Sequence, residues 1–197
     1  MAGEISQAVA EKWIQDQATL KKLLVTTLLP QEPEKFGLFV DLGIITVLDD
    51  YVHNTRLASF EKENRKKFFY YNGGITDKNF AKATVHLTPG QKLHVKVFKQ
   101  MVGGSTTSEE RLAFLKSQNA ILTGAQGASL VFEQKRDELP KGYWYLSFDE
   151  KEALWKDAVG YHRVSHLYRY SDGVWRFDLG FFEHVWGDGH CLLCFCD

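Results

Sequence analysis

Strand alternation sets His166 beside Asp178, and places Tyr168, Tyr170 and Arg176 with them, on one face of the segment Tyr161 to Asp197. A carboxylate holding one imidazole nitrogen fixes the tautomer and raises basicity, which is the orienter–base half of a catalytic triad. With Arg176 on an anionic substrate, such a pair would suit a metal-independent hydrolase. An ordinary cross-strand ion pair would use the same two residues and contribute roughly 0.2–1 kcal/mol. No nucleophile is identifiable beside them.

The face assignment rests on register. The segment reads as three β-strands joined by two similar turns, Ser171-Asp172-Gly173 and Gly187-Asp188-Gly189. A three-residue first loop sets Leu167 opposite Phe177, Ser165 opposite Leu179 and Arg169 opposite Trp175. It also sets Tyr168 opposite Arg176 and His166 opposite Asp178. A two-residue Asp-Gly turn would mix polar and apolar residues on each face. The second loop, treated alike, sets Phe181 opposite Phe195 and Val185 opposite Cys191, leaving Phe182, His184 and Trp186 on the second face with Leu192 and Cys194. A face that is half polar and half aromatic suits the floor of a binding cleft. The expected ligand-binding residues are therefore Tyr168, Tyr170, Arg176, Phe182, His184 and Trp186.

A second constellation is cationic. Ala81 to Leu87 and Lys92 to Gln100 read as a hairpin around Thr88-Pro89-Gly90. Its outer face would carry Lys82, His86, Lys92, His94 and Lys96, with His86 opposite His94. With Arg65, Lys66 and Lys67 nearby, this ribbon could receive a phosphate backbone or an acidic partner, and equally be a solvated outer face. It shows no interleaved aromatics of the kind single-strand binders use.

Other motifs imply less. Cys191, Cys194 and Cys196 offer metal-like spacing, but alternation points Cys191 away from the other two, so no metal site is expected. Gly124-Ala125-Gln126-Gly127-Ala128-Ser129 lies where a strand meets a helix, yet it matches neither the dinucleotide fingerprint nor the P-loop. No cofactor is expected.

The elements that must position these residues follow from periodicity. Residues 4 to about 28 predict a helix, with Ile5, Val9, Trp13, Leu20, Leu24 and Leu28 on one stripe and Pro30 and Pro33 beyond it. Leu38 to Leu48 predicts a buried strand, and Lys67 to Tyr71 another, ended by Asn72-Gly73-Gly74. Residues 49 to 66 are balanced between helix and loop. Thr107 or Ser108 should cap a helix through Ser117. Asn119 to Thr123 predicts a short strand, Gly124 to Gly127 a turn, and Ala128 to Leu139 a helix. Tyr143 to Phe148 predicts a strand, with a short helix capped by Asp149 after it.

The chain of 197 residues is near the size of one domain, and its net charge of −1 argues against a whole-molecule nucleic-acid footprint or a polybasic anchor. Four of its five tryptophans lie in the last third, where the densest packing is expected. No stretch is apolar enough to cross a membrane, and Glu4, Glu11, Lys12 and Asp16 interrupt any secretory signal. Three clustered cysteines fit a reducing, cytoplasmic compartment better than a disulfide scaffold. The expected architecture over residues 1–197 is a single α+β domain with a mainly antiparallel sheet, helices on one face and a C-terminal three-stranded meander. The expected function is a binding or interaction domain with an aromatic-lined cleft for a small molecule or protein partner, without nucleic acid or membrane.

Overall fold

Central strands bury both faces and edge strands bury one, and that difference orders the sheet. The structure, a computed structural model, describes residues 34–197 and, ahead of them, Lys12, Asp16 and Gln17, which are helical. The rest of the helix expected over 4–28 lies outside the described residues.

Residues 35–197 form one α+β domain. Its strands are β1 (Phe36–Thr46), β2 (Phe68–Tyr71), β3 (Lys92–Gln100), β4 (Thr106–Thr107), β5 (Tyr143–Ser147), β6 (Arg163–Arg169), β7 (Trp175–Phe181), β8 (Val185–Trp186) and β9 (His190–Cys196). Three α-helices accompany them: α1 (Arg56–Asn64), α2 (Ser108–Ser117) and α3 (Gly124–Lys135). Seven strands make a mixed, mostly antiparallel sheet in the order β1-β3-β9-β5-β6-β7-β2, while β4 and β8 pair separately. The parallel pairs are β2 with β7 and β5 with β9.

The β6–β7 hairpin has the register expected of it. Arg169 opposes Trp175, Tyr168 opposes Arg176, Leu167 opposes Phe177, His166 opposes Asp178 and Ser165 opposes Leu179. The third strand of the expected meander goes elsewhere, since β9 enters between β3 and β5. Phe195 therefore opposes Val95 rather than Phe181, and Cys191 opposes Tyr145 rather than Val185. The physical reason is burial on both sides. Cys191 and Phe195 face one core cluster and Leu192 and Cys194 the other, which only an interior strand can satisfy.

The first cluster lies under α1 and α3, where Phe60, Leu130 and Phe132 meet Val95, Tyr145, Leu167 and Phe177. The second collects Leu112 and Leu115 of α2 with Phe98, Leu146 and Leu192. Helices thus cover both faces, α1 and α3 on one and α2 on the other.

Four further expectations change. The strand at Leu38 to Leu48 is an edge, β1, with Leu38 and Ile44 more than half exposed. The segment 81–87 is not a strand, because both sides of β3 are taken by β1 and β9. Its Thr84 instead donates its N–H and hydroxyl to buried Asp149. Finally, α3 begins at Gly124, four residues before the expected start. Gly127 is there for close packing rather than a turn, since a Cβ on it would stand 1.8 Å from Thr123 Oγ1 and 2.9 Å from Phe195 Cζ. After β5, Asp149 is followed by a single 3-10 turn, Lys151–Ala153, in place of the expected helix. The cap on α2 is as expected, with Thr107 and Glu110 forming a reciprocal capping box.

Candidate functional site

Hydrogen-bonded neighbours line up across a sheet, so one row of the second face can be read strand by strand. Tyr70 of β2 partners Arg176 of β7, which partners Tyr168 of β6, then Trp144 of β5 and His190 of β9. All five are partly or substantially exposed. The guanidinium of Arg176 sits 4.5 Å from the Tyr70 ring centre and 5.6 Å from that of Trp144. Trp144 lies 4.4 Å from Tyr168 and stands parallel to His190 at 6.1 Å, and Tyr170 meets Tyr168 edge-on at 4.5 Å. The row is a shelf of π faces with a cation between two of them.

One row further in lie Asp178 and His166. They oppose each other, as alternation requires, but no hydrogen bond joins them. The Asp178 carboxylate is occupied by Asn72 Nδ2 at 2.7 Å, the Leu179 N–H at 2.8 Å and the Arg176 guanidinium, whose Nε lies at 2.9 Å. Burial pushes its pKa up. The hydrogen bonds from Asn72 and Leu179, with His166 and Arg176 beside it, outweigh that and hold it below the usual carboxylate range.

His166 is buried beneath Trp144, which meets it edge-on at 4.5 Å, and Trp186 at 6.3 Å. Neither ring nitrogen has a partner among the described residues. Burial drives its pKa down to about 3, against the pull of Asp178. A general base needs a pKa near the working pH and reach to a proton. The hydrogen bond expected between His166 and Asp178 is absent, because the carboxylate turns to Asn72 and Arg176.

The other expected ligand-binding residues divide. Tyr168, Tyr170 and Arg176 stand at the shelf. Phe182 and Trp186 belong to the second core cluster, and His184 is exposed in the turn after β7. Trp186 is fixed by its Nε1–H bond to Ser108 Oγ at 2.6 Å, and it lies over Gly180, where a Cβ would stand 2.4 Å from its ring. Gly180→Val should therefore destabilise the domain by about 2–3 kcal/mol through overpacking, readable as a lowered urea midpoint.

Four residues of this site, Tyr70, Trp144, His190 and Arg111, were not among the expected ligand-binding residues. The guanidinium of Arg111 is fully buried and donates to Thr106 Oγ1, Gln100 Oε1 and the carbonyls of Trp186, Gly187 and His190. It thereby pins both ends of the turn that presents Trp186 and His190.

The expected cationic ribbon does not assemble. His86 stacks on His53 at 4.0 Å instead of opposing His94. His94 bonds Asp41 at 2.6 Å. Lys92 and Lys96 stay on β3, while Lys82 lies at a separate cavity. The three cysteines keep the parity expected of them, with Cys194 and Cys196 sharing a face, 3.7 Å apart at sulfur, and Cys191 on the other. No described helix is long and apolar enough to cross a membrane. The chain matches no family model, no curated protein and no solved structure.

Proposed function

We propose that this domain is a binding module whose ligand lies flat on the shelf formed by Tyr70, Arg176, Tyr168 and Trp144, with His190 at its inner end. The observation that carries the reading is the single cross-strand row of partly exposed rings. Such rings offer apolar area at low conformational cost, and each stacked pair contributes roughly 0.5–1.5 kcal/mol beyond burial. Because Asp178 already neutralises Arg176, the shelf favours a planar, uncharged ring system over an anion. A small heteroaromatic molecule fits better than a flexible chain, since the rings are held against one another on a sheet face that packs over core residues. Three free thiols suit a reducing compartment such as the cytoplasm.

The test is a thermal-shift panel containing adenosine, indole and riboflavin, since a ligand for the native state raises apparent stability by mass action. At least one should stabilise the wild type, and Tyr168→Ala should weaken its binding about tenfold, as expected for a lost stacking partner. A panel without any stabiliser counts against the reading, as does a hit that Tyr168→Ala leaves unchanged. Capture of a folded protein on this face, with no small-molecule hit, would replace the ligand by a partner.

A further inference from the structure

A second site lies away from the shelf, around the start of β6. There a cavity of about 580 Å³ is lined by Lys78, Asn79, Lys82, Trp155 and Lys156 among others. That volume is in the range of small-molecule pockets. Two of its other basic groups are already matched: Lys151 bonds Glu109 at 2.9 Å, and His162 bonds Glu183 at 2.6 Å. Lys78, Lys82 and Lys156 make no ion pair among the described residues, against one lining carboxylate, Glu152. A surplus of positive charge therefore faces the cavity.

The wall is also preformed. Trp155 is half-buried, with its ring edge wedged where a Cβ on Gly74 would stand 2.8 Å away. Its carbonyl accepts from the Arg163 N–H at 2.9 Å, and the Asp157 carboxylate accepts from Arg163 Nε at 2.9 Å. Asn79 is oriented by donating its Nδ2 to the Gly74 carbonyl. An ordered indole beside three ammonium groups on flexible stems combines a stacking surface with point charges for a phosphate chain.

We propose that this cavity binds a nucleoside polyphosphate, with the base on Trp155 and the phosphates among Lys78, Lys82 and Lys156. Stacking on Trp155 is open to the π face of any base, so purine and pyrimidine nucleotides should bind alike. Ammonium–phosphate attraction is screened by salt, so affinity should fall as ionic strength rises.

The experiment is calorimetric titration of the whole chain with ATP, CTP and pyrophosphate at low salt. ATP and CTP should bind saturably with similar affinity, and pyrophosphate at least fivefold more weakly. The double variant Lys82→Ala, Lys156→Ala, both exposed positions, should weaken ATP at least tenfold. Tyr168→Ala on the shelf should leave ATP binding unchanged, which keeps this site separable from the first. The proposal is overturned by an absence of saturable ATP binding up to about 5 mM, or by equal affinity in the double variant. Pyrophosphate binding as tightly as ATP would remove the base from the assignment. A single-stranded oligonucleotide binding far more tightly than ATP would replace it with nucleic acid.

Discussion

Arg111→Met is expected to cost the domain about 3–5 kcal/mol, enough to lower its melting temperature by roughly 10 °C. The methionine fills much of the arginine stem's volume but donates nothing. Three backbone carbonyls, those of Trp186, Gly187 and His190, would lose their charged donor, together with Thr106 Oγ1 and Gln100 Oε1. Each buried acceptor left alone costs roughly 1–3 kcal/mol, and partial relaxation brings the sum down to the stated range. Burial lowers the Arg111 pKa to about 10, which still leaves the group protonated at neutral pH. Arg111→Lys keeps the charge but not the planar fork, so it should recover less than half of the loss. Amide exchange should separate this from a general core defect. The amides around Gly187 and His190 should open first, because Arg111 ties that turn to α2 and to β3. Uniform loss of protection across the sheet would contradict the clamp.

Arg111 was not legible: the buried stripe of α2 is Ser108, Arg111, Leu112 and Leu115, half of it polar, so no apolar periodicity marks it. Its carbonyl acceptors were not legible either, since they come from a turn some 75 residues away. The β6–β7 hairpin was readable because local alternation and a three-residue loop determine it together. β9 was misplaced because a two-faced apolar strand can pair wherever two edges are open, and only the whole sheet decides that. Even so, its run Cys191-Leu192-Leu193-Cys194-Phe195, apolar at every position, already signals an interior strand. The segment 81–87 alternated like a strand, but both sides of its expected partner β3 are taken by β1 and β9. The site divides in the same way. Tyr168 and Arg176 followed from the hairpin, whereas Trp144 and Tyr70 joined them through pairings between distant parts of the chain.

His166 gives the second large effect, and its sign follows from burial. A histidine whose folded pKa lies below its unfolded value, near 6.5, binds fewer protons when folded. Its contribution to stability is complete above that value and is lost as the pH falls toward the folded value, here about 3. Between pH 7 and pH 4.5 the wild type should lose about 2–3 kcal/mol through this group alone, at 1.36 kcal/mol per unit. His166→Leu removes the titration. At pH 7 it should change stability by no more than about 1 kcal/mol, because it deletes two unpartnered nitrogens and keeps most of the volume. At pH 4.5 the variant should therefore be the more stable protein, an inversion readable from urea midpoints at the two pH values. His53 and His190 are also held below their ordinary value, first by burial, but they titrate in both proteins and cancel in the comparison. The depressed pKa of Asp178 acts in a lower window, beneath about pH 4, where carboxylates normally take up protons. Parallel losses in the two proteins between pH 7 and 4.5 would mean that the ring is reached by solvent or a proton donor in solution. The inverted order would instead fix His166 as an uncharged part of the floor beneath Trp144, leaving recognition to the exposed rings above it.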